Sequence, residues 1–347
     1  MLSDSNADMA WESGDLPGDL NFPHQVPANI YAHLKNILSD VFEPARYAQL
    51  HIHSLTPIRD ITGRYKIQTT NGSWFVKISP RQGAPTLEKQ MIDYLYDRGV
   101  PTNPILLPGH QFIYQNHVYY LTIQNLLQGR HFDGSQSDLF NLGQTLSKCH
   151  EALRNFPQKT QIMNLSRNHL ERIYALKNTV KCAISSEEFE VFREYGSWVH
   201  QNADWVATAV ENWPGPLQYT KDSQCLHGEI HQGNVIYNQT NGSAILVDFE
   251  ESCHIFSDIN WDVAFAIQRF CMRDDPQKDT LLSRIASFTK GYGRTIPNLS
   301  QTMRDISWYT FARILDLRIN HFIITPTQEL DKFVHLEKQA HDTKSFI

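Results

Sequence analysis

Glu229, Asn234 and Asp248 are the residues of this 347-residue chain whose types and spacing best suit chemistry. They share one polar stretch, Cys225-Leu-His-Gly-Glu-Ile-His-Gln-Gly-Asn-Val-Ile-Tyr-Asn, which is followed by Asn241-Gly242 and by Ala244-Ile-Leu-Val-Asp-Phe-Glu-Glu. Carboxylate and amide oxygens are hard ligands. A few of them converging on one point suit Mg²⁺, whose octahedron phosphate oxygens and water can complete. Local structure has to deliver that convergence. The apolar run 235–237 predicts a strand, Asn241-Gly242 predicts a tight turn because that dipeptide accepts φ > 0, and 244–247 predicts a return strand carrying Asp248 at its end.

The surrounding elements divide by texture. From His51 to about Gln124 the signals are mostly short strands: a hairpin over 64–78 turning at Asn71-Gly72, and a strand over 118–123. Between them Pro85 and Thr86 open a helical pattern carried by Leu87, Met91 and Leu95 and closed by Arg98 and Gly99. Beyond Gln128-Gly129, helix-type apolar spacing covers 138–154, 168–180, 186–211, 261–273, 278–291 and 301–321. The fold class expected is therefore α+β, a β-rich lobe followed by a helical lobe. Residues 1–27 mix acids with Ser, Asn, Gly and three prolines without a sustained apolar period and predict a mobile acidic tail.

Composition narrows the function. The formal charge of −6 is concentrated in that tail, where Asp4, Asp8, Glu12, Asp15 and Asp19 stand without a Lys or Arg. The body is close to neutral, which argues against sequence-independent nucleic-acid binding. Five cysteines, an odd number with no Cys-x2-Cys pair, fit neither a disulfide framework nor a structural zinc site and point to a reducing compartment. No apolar run reaches the ~18–20 residues of a membrane helix, and the acidic N-terminus lacks a secretory signal. The expectation is a cytoplasmic protein with no membrane partner. Its sixteen histidines are scattered, and His51 and His53 merely alternate along a probable strand.

His227-Gly-Glu-Ile-His-Gln-Gly-Asn234 with Asp248-Phe-Glu250 resembles the His-Gly-Asp-x-His-x-x-Asn and Asp-Phe/Leu-Asp/Glu signatures of the aminoglycoside phosphotransferase and choline kinase-like group, which has the protein-kinase-like bilobal fold. Further matches follow in order. Trp74-Phe-Val-Lys77-Ile resembles the strand bearing the phosphate-pairing lysine, and Glu88 stands where the family places that lysine's ionic partner. The stretch 123–129 resembles the linker between lobes, where backbone near Asn125 and Leu127 would read the adenine edge. Leu142-Gly-Gln-Thr-Leu-Ser-Lys-Cys-His150 and Trp261-Asp262-Val-Ala-Phe resemble the helix after the linker and the element whose Asp braces the catalytic loop. The resemblance implies an ATP- and Mg²⁺-dependent transfer of phosphate to a hydroxyl of a small molecule: an aminoglycoside-like antibiotic, an amino alcohol, a sugar or an amino acid. It implies Asn234 and Asp248 as metal ligands, Glu229 in the catalytic slot, and lobes over 28–124 and 131–347 joined by a hinge over 125–130.

Two departures stand out. Glu229 replaces the usual Asp, pushing the carboxylate about 1.5 Å further out; a displacement of that order can cost about 100-fold in rate. The nucleotide-covering stretch 55–66 carries a single glycine, Gly63, leaving Thr62, Arg64 and the Gly63 backbone to meet phosphate. A catalytically impaired nucleotide-binding module and a stress-type protein Ser/Thr kinase are the alternative readings. Glu250 is a candidate for a second Mg²⁺ and Glu251 for a solvated position. Arg304, Arg313, Asp316 and Arg318 read as a solvated charged face more readily than as a wall of the acceptor pocket.

Overall fold

The computed structural model describes residues 24–41, 51–55, 61–69, 72–80, 83–188, 192, 194–212, 219–274, 276–297, 299–321 and 327–342. The first 23 residues of the expected tail, Asn71 of the turn dipeptide and residues 56–60 of the nucleotide-covering stretch lie outside them. The two residues following that part of the tail form β1 (His24–Gln25), and α1 (Ala28–Val41) comes next. Strands β2 (His51–Ser54), β3 (Gly63–Thr69) and β4 (Gly72–Ser79) precede α2 (Pro85–Tyr96), and β5 (Ile105–Tyr114) and β6 (His117–Asn125) complete an antiparallel sheet of order β1-β2-β3-β4-β6-β5. The hairpin expected over 64–78 is β3–β4, in a register that sets Arg64 directly opposite Lys77.

One face of the sheet is closed by α1. Its Ile30, Leu34 and Leu38 fall at helical spacing and pack with Ile52, Tyr65, Ile67, Val76, Leu121 and Ile123. The apolar face of α2, made of Leu87, Met91, Ile92 and Leu95 as the spacing predicts, packs instead into the core of the helical lobe.

After β7 (Gly129–Arg130) come α3 (Gln136–Leu153), α4 (Lys159–Ser186), α5 (Gly196–Gln201) and α6 (Ala203–Glu211). The segment expected as one helix over 186–211 is interrupted. Glu187 closes α4 in the left-handed conformation, and Asn202 leaves helical geometry between α5 and α6. Strand β8 (Gln224–Cys225) pairs with β11 (Phe256–Ser257). Between them lie the polar loop, a short 3₁₀ turn at Gln232–Asn234, β9 (Val235–Asn238) and β10 (Ala244–Leu246), the hairpin read from the sequence. Helix α7 (Asn260–Ala266) runs into a π turn at Ile267–Cys271, followed by α8 (Lys278–Tyr292), α9 (Ser300–His321) and α10 (Thr327–Asp342). No helix among the described residues is long and apolar enough to cross a membrane. All five cysteines are free thiols, four of them buried.

Helices α3 and α8 approach so closely that glycine is required on each. A Cβ on Gly143 would collide with the Phe288 carbonyl, and one on Gly291 with the Phe140 carbonyl. Helix α9 runs through the helical core, with Met303, Ile306, Trp308, Phe311, Ala312 and Leu315 buried on several faces. The expected solvated charged face is absent from it. Asp316 and Arg318 are buried and paired with Arg172 and Glu194, Arg304 bonds Glu337, and Arg313 turns inward. Paired charges are the form in which such groups enter a core.

His169 on α4 holds α9 from the side. Arg172 donates to its Nδ1 at 2.9 Å, so Nδ1 accepts, and Nε2 donates to the Tyr309 hydroxyl at 2.9 Å. Burial, reinforced by His254 and by the Arg172 and Arg313 cations, pushes its pKa down to about 3. The folded state thus keeps His169 neutral while an unfolded histidine takes a proton near pH 6.5, and stability falls as pH drops below 6.5. The expected loss from this group is about 1–2 kcal/mol between pH 6.5 and 5. Denaturant titrations at the two pH values should show His169→Gln losing correspondingly less than wild type.

Candidate active site

The loop after β8 is shaped by Asp262 of α7. Its two carboxylate oxygens accept the backbone N–H groups of His227 and Gly228, each at 2.9 Å, and Oδ2 also meets His150 Nε2 of α3 at 3.0 Å. Burial works against the charge on Asp262, but His150 and the loop amides hold its carboxyl below the usual range. Gly228 sits at φ +89°, and a Cβ there would press on Ile255 and the Glu251 carbonyl, so the bend needs glycine. His227 is fully buried: its Nε2 bonds the Val247 carbonyl at 3.1 Å and its ring packs on Phe249 at 4.5 Å. It braces the loop against the end of the β9–β10 hairpin, and burial lowers its pKa.

Two connections then fix the candidate ligands relative to each other. The Val247 amide donates to the Asn234 carbonyl at 3.0 Å, tying the residue before Asp248 to the 3₁₀ turn. Asn234 Nδ2 donates to the Glu229 carbonyl at 3.0 Å, which turns Asn234 Oδ1 the other way. Asp248 adopts φ +61°, a left-handed conformation that Asp tolerates better than most side chains.

Lys77, Glu229, Asn234 and Asp248, drawn from β4, the polar loop, the 3₁₀ turn and the end of the hairpin, line one cavity of about 150 Å³. Arg64, His231, Glu250 and Glu251 line it too. Its far wall is Thr310, Arg313, Ile314 and Leu317 of α9 with Glu329 and Phe333 of α10. Lys77 Nζ bonds Asp248 at 2.9 and 3.0 Å and Glu250 at 2.9 Å. Burial opposes its charge, but those two carboxylates outweigh it and raise its pKa. Burial likewise opposes ionisation of Asp248, and Lys77 and Arg64 overcome it, leaving its carboxyl below the usual range.

The expected ion pair between Lys77 and Glu88 is replaced. The lysine's bonds go to Asp248 and Glu250, which the hairpin delivers to it from across the cavity. Glu88 accepts from the Phe249 amide. Burial first, and repulsion from Asp248 and Glu250 second, push its pKa up to about 8, with Lys77 acting only as a field that lowers it. Asn125 and Leu127 are not among the cavity's lining residues, and the Asn125 carbonyl accepts from Asn103 Nδ2 at 2.9 Å.

Glu229 has a partner that neighbours along the chain do not reveal. Its Oε1 accepts from Arg313 Nη1 at 2.9 Å and lies 4.0 Å from His231 Nε2. Arg313 Nη2 also meets Glu251 at 2.8 Å, so Glu251 is a buried ion-pair partner and not the solvated residue expected. Burial raises the Glu229 pKa, with Glu251 and Asp248 adding to the rise and Arg313 opposing it. His231 Nδ1 accepts from the Gly233 amide at 3.1 Å, and burial keeps the ring neutral. Among the described residues no group of three His, Cys, Asp or Glu side chains could hold a metal ion unaided. Two hard oxygens in one cavity, from Asp248 and Asn234, suit a Mg²⁺ that keeps phosphate oxygens and water in its remaining positions.

The model of the phosphotransferase enzyme family matches residues 54–295. Among solved structures the chain is similar to amicoumacin kinase hAmiN in complex with AMP-PNP, Ca²⁺ and Ami, at TM-score 0.56 and 14% identity over 92% of this chain and 96% of that one. It is also similar to an ethanolamine kinase of Plasmodium vivax, at TM-score 0.54 and 13% identity over 94% and 92%. A third likeness is to choline kinase LicA from Streptococcus pneumoniae, at TM-score 0.53 and 13% identity over 90% and 99%. At these identities the likeness is one of fold. No curated protein sequence matches the chain.

Proposed function

The chain belongs to the phosphotransferase enzyme family, and from that premise we propose that it moves the γ-phosphate of ATP to a hydroxyl group of a small molecule. The observation that carries this reading is the meeting of Lys77, Asn234, Asp248 and Glu229 in one cavity. Phosphoryl transfer asks little covalent chemistry of a protein; it asks for positioning and for neutralisation of charge, and each residue has a part in that.

Lys77 and Arg64, side by side on paired strands, present two cations to the phosphates. Glu88 is the further carboxylate whose field reaches Lys77. Backbone at Asn125 and Leu127, where β6 leaves the sheet, is the proposed reader of the adenine edge. Asp248 and Asn234 Oδ1 would hold Mg²⁺, which when bound neutralises and orients the phosphate oxygens. Glu229 orients the acceptor hydroxyl and takes its proton, a role that a carboxyl pKa raised by burial favours. The wall formed by α9 and α10 shapes the acceptor side.

A nucleotide-consumption screen tests this reading: ATP and Mg²⁺ with kanamycin, spectinomycin, choline, ethanolamine, sugars and hydroxyl amino acids, each with and without EDTA. The expected result is Mg²⁺-dependent ADP formation with at least one acceptor. Nucleotide binding without turnover on any of them would instead favour the impaired binding module, and phosphorylation of a generic protein substrate the protein-kinase reading.

A further inference from the structure

A glutamate at 229 has one more rotatable bond than an aspartate and reaches about 1.5 Å further, so it needs an anchor to serve as a positioned group. The structure contains one. Arg313 bridges Glu229 Oε1 and Glu251 Oε1 at 2.9 and 2.8 Å, spanning the polar loop and the turn after β10 from the far wall of the cavity. Nothing among the described residues bonds the other oxygen of Glu229, Oε2. The arginine is itself held in place. Tyr309 and Asp316, on the same stripe of α9, are gripped from α4 by His169 at 2.9 Å and by Arg172 at 2.9 Å. Only 18% of the Arg313 side chain and 4% of Glu251 are exposed, so water competes little with the bridge.

We propose that Arg313 is the positioning residue that fits glutamate to position 229, anchoring one carboxylate oxygen so that the other faces the acceptor hydroxyl. The proposal rests on the phosphotransferase reading and deepens it. The extra methylene is then matched to its surroundings: an aspartate on the same loop would draw the carboxylate beyond hydrogen-bond reach of Arg313. Glu251, three residues beyond Asp248, completes the fit by holding the second arm of the guanidinium, which a lysine could not spread across two carboxylates.

The test is a double-mutant cycle on kcat, with ATP, Mg²⁺ and the screened compound of highest turnover. Glu229→Asp is expected to lower kcat by about 10- to 100-fold, Arg313→Met by a similar factor, and the nucleotide KM should stay near the wild-type value in both. The double variant should be no slower than the slower single, because both changes remove the same bond. Arg313→Lys, which keeps one arm of the bridge, should recover part of the rate. Should Arg313→Met fail to fold with two carboxylates facing each other, Arg313→Met/Glu251→Gln takes its place in the cycle with the same expectation. A Glu229→Asp enzyme faster than wild type, or losses that multiply in the double variant, would overturn the proposal and leave the phosphotransferase reading intact. A wild type that transfers phosphate to none of the compounds would overturn both.

Discussion

Asp248→Asn should fold as the wild type does and transfer phosphate at least about 1,000-fold more slowly, since a metal-held phosphate loses several kcal/mol of charge stabilisation and each 1.36 kcal/mol is tenfold in rate. The choice of asparagine matters. Position 248 sits at φ +61°, where Asn is tolerated while Ala adds roughly 1–2 kcal/mol of backbone strain, so Asp248→Ala would confound chemistry with stability. Removing the charge also frees Lys77 from one of its two carboxylates, but Glu250 remains bonded to it at 2.9 Å, so the lysine stays beside the cavity. Steady-state ADP formation with and without Mg²⁺, set beside thermal melts, checks the result. A variant that turns over like wild type would remove Asp248 from the metal site.

Asp262→Ala is expected to cost both stability and activity. Its carboxylate is wholly buried and accepts two loop amides and His150. Deletion strands those donors in the core, and losing one partner of a buried charged network typically costs about 3–5 kcal/mol. The loop it shapes carries Glu229 and leads into Asn234, so the remaining folded enzyme should also lose kcat. Urea unfolding followed by tryptophan fluorescence measures the first effect. Asp262→Asn, which keeps an acceptor for one amide and turns an N–H₂ toward the other, should fall between Ala and wild type. Equal stability of Ala and wild type would mean the loop holds its shape by other means.

The parts of this molecule that were legible in the sequence are those fixed by neighbours along the chain. Asn241-Gly242 between two apolar runs determines a hairpin, and the hairpin determines where Asp248 emerges. Pro85, the Leu87–Met91–Leu95 spacing and Gly99 determine α2. What the sequence could not show are partners brought together by the fold. The resemblance pairs Lys77 with Glu88, eleven residues on, yet its bonds go to Asp248 and Glu250, 171 and 173 residues away. Arg313 reads as solvated because its partners Glu229 and Glu251 lie on other elements, the first of them 84 residues distant. A charge on a helix is ordinarily a surface feature, and the contrary signal was available: α9 is apolar on nearly all sides, so any charge in its middle must be buried and paired. Helices α1 and α10 also carry readable spacing, in Ile30, Leu34 and Leu38 and in Leu330, Phe333 and Leu336.

All of the chemistry proposed here depends on Lys77, Asn234 and Asp248 gripping one nucleotide and its metal ion. A crystal structure of the protein with AMP-PNP and Mg²⁺ tests that most directly. The expected map shows the ion bonded to Asn234 Oδ1 and an Asp248 oxygen at about 2.0–2.1 Å, with Lys77 Nζ moved from the Asp248 carboxylate onto a phosphate oxygen. A nucleotide bound away from this cavity, or a metal that neither residue touches, would contradict it.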